Sequence, residues 1–204
     1  QIWTHCYLKG VIHLEHIESL IGEDEMFSII RSLITSNSTF DLSSFTSQLV
    51  RFPVNTNVTL SDVYYHAFTT GGYPTLDVSI SNHSIRVHQS GPSLWPLSLF
   101  FPNGSSHWLL TSSFSFTPHP NSSPLQYLIN TDFKSFIRVN YDNTTWNHIL
   151  YQLESDASLF SPVARAQLVS DMCFFSYSFV DRRLLDRVIT LVNDQPHLFD
   201  LCDW

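Results

Sequence analysis

Two histidines three residues apart, His13 and His16, bracket Leu14 and Glu15 in an apolar stretch near the start of the 204-residue chain. They are its nearest approach to a metal motif. A zinc-peptidase helix carries H-E-x-x-H, in which histidines at i and i+4 face one side and the glutamate between them serves as general base. Here the spacing is i and i+3, and Glu15 stands directly before the second histidine. Such a pair can share a metal, but no third ligand lies nearby in sequence. The expectation is therefore two helix-surface or core-edge histidines and no metal held by this chain. There is also no G-x-S-x-G elbow, no C-x-x-C and, with six glycines in all, no glycine-rich phosphate loop. Cys6, Cys173 and Cys202 are far apart and odd in number, which fits neither a zinc ribbon nor a disulfide scaffold. Cys173 and Cys202 are left as either a pair across two helices or two buried thiols.

One modification chemistry is better represented. Asn37, Asn57, Asn82, Asn103, Asn121 and Asn143 each open an N-x-[ST] triplet without proline in the middle. All six fall in stretches that read as turns or loops, where a glycan can sit. That pattern predicts an extracellular or secretory-lumen chain, including the ectodomain of a membrane-anchored protein. The first nine residues lack the basic start and apolar run of a signal peptide, so a leader is expected to have been lost. No run approaches the ~20 apolar residues of a membrane span. The 10 basic and 18 acidic residues, formally −8, argue against a nucleic-acid or anionic-lipid surface.

The elements that must position these residues come in three blocks. Leu8 to Ile21 carries a helical apolar stripe, interrupted by Gly22. Glu23, Asp24 and Glu25 then suit the first turn of a second helix, where the helix dipole favours negative charge. Shorter helices follow at Leu42–Val50 and Leu60–Phe68. From Gly71 the period changes to two: Leu76, Val78 and Ile80 alternate with polar residues, and Ile85-Arg86-Val87-His88 resumes the alternation after a turn. Strand-like pieces recur at Leu97–Phe101, His107–Leu110, Phe114–Phe116, Tyr127–Asn130 and Phe136–Asp142. About seven short strands at this spacing predict a small antiparallel β-sandwich. Asn143 onward returns to helix, with Ser161-Pro162 as N-cap and first position of the next one. Val163–Phe179 and Asp181–Val192 complete what reads as the start of an α-helical array. The expected class is thus multidomain α and β: residues 1–70 helical, 71–142 a sandwich, 143–204 the beginning of a helical-repeat domain.

Four pieces, in order, resemble the zinc aminopeptidases of the aminopeptidase N type. Tyr7-Leu8-Lys9-Gly10, followed by Gly22-Glu23-Asp24-Glu25-Met26-Phe27, is similar to that family's Y-x-K-G segment and the G-E-x-x-F helix after it. Gly72-Tyr73-Pro74 resembles the G-[YF]-P that opens its β-sandwich domain. Phe136-Ile137-Arg138-Val139-Asn140-Tyr141-Asp142 with Trp146 resembles its [YF]-[YF]-R-V-N-Y-D…W. Ser161-Pro162-Val163-Ala164-Arg165-Ala166-Gln167-Leu168-Val169-Ser170-Asp171 resembles its S-P-x-x-R-A-Q-L-x-x-D.

The resemblance implies a part of a zinc metallo-aminopeptidase, a hydrolase that removes N-terminal residues from peptide substrates. In the family, the zinc motif precedes Y-x-K-G. So Zn2+ is implied for the complete enzyme and not for this chain, which is expected to be inactive alone. The one catalytic position that carries over is Tyr7, whose hydroxyl would donate to the oxyanion of the tetrahedral intermediate. A phenol with pKa ~10 stays protonated at neutral pH and suits that task. Lys9, Arg138 and Arg165 are expected to have structural roles, the arginines as hydrogen-bonders at domain joints. A homodimer is compatible with this reading. The alternative is a non-catalytic secreted glycoprotein module, a degenerate relative used for protein contact.

Overall fold

The computed structural model describes residues 2–36, 41–81, 84–91, 93–119, 122–131, 133–176, 186–187 and 189–190; of residues 2–8 and Ser176 only the backbone is described. Helix α1, Ile2–Ile21, begins six residues before its apolar stripe and stops at Gly22, whose φ of 89° L-side chains avoid. Helix α2, Glu23–Thr35, opens with the three carboxylates and buries Met26, Ile29 and Leu33. Asp41 caps α3, Leu42–Ser47, by accepting from the Ser44 amide at 2.7 Å. That helix is shorter than its apolar pattern suggested, because residues 48–51 continue as turns. Helix α4, Leu60–Thr69, starts with a capping box between Thr59 and Asp62 and buries Leu60, Val63, Tyr64 and Ala67.

The middle block forms two small sheets. Strands β1 (Thr75–Ile80), β2 (Ile85–Ser90), β5 (Ser113–Phe116) and β6 (Arg138–Tyr141) make a four-stranded sheet in the order β5-β2-β1-β6. Strands β3 (Leu97–Phe100) and β4 (Ser106–Leu109) make a separate antiparallel pair. Val78 faces Val87 in the β1–β2 hairpin, and β2 pairs with β5, both antiparallel. The sandwich is not antiparallel throughout. β6 runs parallel to β1, Leu76 opposite Val139, after the long crossing from Phe116 that parallel pairing requires.

The strand expected at Tyr127–Asn130 is replaced by a 3-10 turn, Pro124–Tyr127, capped by Ser123 and followed by extended chain. Tyr127, Leu128 and Ile129 are buried, which explains their apolar run. Their backbone bonds go elsewhere. Ile129 N–H donates to the Tyr141 hydroxyl (2.8 Å) and Asn130 N–H to the Phe100 carbonyl (3.1 Å).

Asp142 caps α5, Asn143–Ser155, through the Thr145 amide at 2.8 Å, and Trp146, Ile149, Leu150 and Leu153 are buried from that helix. Ser161 Oγ accepts from Ala164 N–H at 3.1 Å at the head of α6, Pro162–Ser176. The helix expected at Asp181–Val192 lies largely outside the described residues, as does Cys202. One apolar core runs through all three blocks, from Ile17 and Ile29 through Leu76 and Val139 to Trp146 and Leu168. Along α1, Ile17 is fully buried while Val11 and Leu14 remain exposed. Among the described residues no helix is long and apolar enough to cross a membrane.

Candidate functional site

The histidine pair lies inside the molecule, not on a helix surface or at the core edge. His13 and His16 are each 6% exposed. The i, i+3 spacing places both on the face of α1 that meets α4 and the sandwich. His13 packs edge-on against Tyr64, Phe68 and Phe136, with ring centroids 5.9, 5.4 and 5.7 Å away. His16 packs in the same manner against Tyr64 and Phe100 at 5.8 and 5.3 Å. The apolar stripe does not reveal this, because histidine counts as polar when the stripe is read.

Tyr64 was missed altogether as a site residue. It belongs to the α4 stripe and reads as plain core, yet its hydroxyl and His13 Nε2 are buried without a hydrogen bond among the described residues. Both residues, with His16, Val63, Trp95, Pro96, Ser98, Ser135 and Phe136 among others, line a cavity of about 20 Å³. Trp95 is held there by Gln89, whose amide donates to the Trp95 carbonyl (2.9 Å) and accepts from its N–H (2.6 Å). Burial, then the Lys9 and His16 charges, hold the His13 imidazole down to about 4. Burial pushes the Tyr64 hydroxyl well above its ordinary range. Both groups are therefore neutral at pH 7.

Zinc needs three or four ligands, with thiolate, imidazole or carboxylate as donors. The cavity offers two imidazoles and a phenol that stays protonated. Among the described residues no group of three His, Cys, Asp or Glu is placed to hold an ion. These residues do not fit a zinc site.

Tyr7 lies within α1, but its side chain is outside the described residues. Two residues on, Lys9 donates from Nζ to the Thr70 carbonyl at 2.7 Å, tying α1 to the end of α4. Lys9 also stands over the Trp95 and Phe136 rings, 5.1 and 6.0 Å from their centroids.

Arg138 joins β6 to α6. Its Nη1 donates to Asp171 Oδ1 (2.9 Å) and to Ser170 Oγ (2.7 Å), while Val139 N–H reaches Asp171 Oδ2 at 3.2 Å. Desolvation nevertheless outweighs Arg138 and raises the Asp171 carboxyl to about 6. Arg165 Nη1 donates to the Ala157 and Phe160 carbonyls (3.1 and 2.9 Å). Of the acceptor asparagines, Asn57, Asn103 and Asn143 are exposed, whereas Asn37, Asn82 and Asn121 lie outside the described residues. Cys173 sits half-buried in α6.

No protein-family model matches the chain. It is similar to aminopeptidase N. The match is to the Rattus norvegicus protein, 25% identical over 188 residues and covering 81% of this chain. The chain spans about 20% of that aminopeptidase N's length, so the two are distant relatives compared over a segment of the longer one.

Proposed function

We propose that this chain is part of a zinc metallo-aminopeptidase of the aminopeptidase N type, a hydrolase that releases N-terminal residues from peptides. The observation that carries the reading is the similarity to rat aminopeptidase N across 81% of the chain. The four ordered motifs support it from residues Tyr7 to Asp171. In this reading residues 1–70 close a catalytic domain, 71–142 are its sandwich neighbour, and 143–204 begin a helical domain. The zinc ion and its ligands come from sequence outside these 204 residues. The isolated chain is inactive. Tyr7 donates its hydroxyl to the oxyanion that forms as the peptide carbonyl becomes tetrahedral, a contact strongest in the transition state. The exposed acceptors Asn57, Asn103 and Asn143 fit an extracellular or secretory-lumen location.

The test is release of the N-terminal residue from a panel of aminoacyl anilides by the full-length gene product, compared with this chain alone. Turnover by the former and none by the latter is expected. A folded full-length protein without activity toward any member of the panel assigns the chain to the non-catalytic glycoprotein reading.

A further inference from the structure

The cavity between α1, α4 and the β2–β3 connection has a composition that a hydrophobic joint does not need. Two polar atoms, His13 Nε2 and Tyr64 Oη, are buried at its wall and make no hydrogen bond among the described residues. Buried polar groups are nearly always satisfied, by protein or by ordered water. The edge-on rings do not bond each other directly, with centroids 5.9 Å apart. A volume of about 20 Å³ admits one water molecule, and a water in such a site needs at least two polar partners. The phenol donates, and a neutral imidazole nitrogen accepts or donates according to tautomer.

A cation is a poor occupant. Among the described residues no carboxylate lines the cavity. Among the described residues, the charged and titratable groups around His13 are Lys9 and His16 from α1 and Tyr64 from α4. Beyond the Trp95 ring stands His66 of α4, and beyond the Phe100 ring stands Lys134, 5.5 Å from its centroid. A proton added to His13 would sit against the Tyr64, Phe68 and Phe136 rings with the Lys9 charge as a like-charged neighbour, where burial disfavours it.

We propose that the cavity is a one-water site ligated by His13 and Tyr64, and that it acts as an acid-release latch. A neutral His13 imidazole lets α1 and α4 close on the sandwich; a proton on it drives them apart. The proposal uses contacts within this chain alone and stands apart from the peptidase reading.

An imidazole freed from the site titrates near ~6.5, against about 4 for His13 when closed. Between those values the open form binds the proton that the closed form refuses, so acid favours opening. At the other side of the sandwich the sign is reversed. Asp171, raised to about 6, takes up a proton more readily when folded, so acid does not loosen the α6 joint over the same interval.

The experiment is native-state hydrogen exchange of the full 204-residue chain at pH 7 and pH 5, corrected for intrinsic rates. Protection in Leu60–Thr69 should fall by roughly 20-fold from His13 alone, while β1 and β2 change little. Unchanged protection in α4 overturns the latch. His13→Phe combined with His16→Phe should abolish the pH dependence; its persistence in a folded double variant also overturns the latch. Should that variant fail to fold, the wild-type chain decides by ring-nitrogen NMR titration: His13 titrating near its ordinary 6.5 in the folded protein overturns it. The water is counted by magnetic relaxation dispersion. Tyr64→Phe should lose one long-lived water relative to wild type, and an equal count overturns the one-water site.

Discussion

At the scale of single residues, the two side chains that most reward measurement differ in kind. Tyr7 carries the catalytic proposal. In the full-length enzyme Tyr7→Phe should lower kcat by ~100-fold with little effect on KM, since an oxyanion donor acts mainly in the transition state. A kcat within a few-fold of wild type leaves Tyr7 a packing residue. Arg138 carries a structural joint and is about one-third exposed, whereas Asp171 is nearly wholly buried. Arg138→Ala strands the Asp171 carboxylate, and breaking a buried pair typically costs ~3–5 kcal/mol. The exposure of the arginine discounts this to about 2 kcal/mol at pH 7. Because burial raises Asp171, its protonated form is within reach in mild acid, so the loss measured by urea denaturation should shrink at pH 5. A loss as large at pH 5 as at pH 7 contradicts a raised Asp171. His13 has the opposite sign: its depressed pKa gives stability present above ~6.5 and withdrawn as pH falls toward 4, up to about 3 kcal/mol over the full interval.

At the scale of elements, the starts of α3, α4, α5 and α6 are defined by side-chain caps. Asp41, Thr59 with Asp62, Asp142 and Ser161 each satisfy amides that no helical carbonyl reaches. Asp142 also ends β6, so it sets the corner between sheet and helix. Asp142→Ala should cost ~1 kcal/mol by urea denaturation, with Asp142→Asn near neutral because the amide oxygen can cap in the same way. If Asn were as harmful as Ala, the cap would not be the reason for the loss. The elements also differ in how well they are covered. Val11, Leu14, Phe27 and Ile34 are exposed on α1 and α2, while β1 and β2 bury Leu76, Val78, Ile85 and Val87. Exchange is therefore expected to be faster in α1 and α2 than in β1 and β2 even at pH 7. Equal protection would show that these helices are closed by contacts within the chain.

At the scale of the whole molecule, the sandwich is a spacer with a polar fastening on each side. Lys9 and the His13–Tyr64 cavity tie it to the leading helices, and Arg138–Asp171 ties it to α6. The exposed acceptors Asn57, Asn103 and Asn143 come from the α3–α4 loop, the tip of the β3–β4 hairpin and the head of α5. Expressed through a eukaryotic secretory pathway, the protein should lose mass on treatment with an N-glycosidase. Asn103→Gln should remove one glycan from that total. A mass that matches the bare polypeptide excludes the secretory reading.

The sequence by itself determined what depends on neighbours a few residues apart. The apolar stripes of α1 and α2, the alternation in β1 and β2, the stop at Gly22 and the cap at Ser161 were all legible, because backbone geometry imposes a fixed period or a fixed offset. Only the tertiary structure decided which distant residues meet. It set β6 parallel to β1, took Tyr127–Ile129 out of the sheet and brought Tyr64 to the histidine pair. Local spacing cannot carry that information. A buried Tyr127 in a 3-10 turn and a buried residue in a strand give the same apolar signal, since both answer to burial rather than to hydrogen-bond partner. For the site the limit is sharper still: His13 and Tyr64 lie on separate helices, and their shared cavity exists only once α1 and α4 have packed against the sandwich.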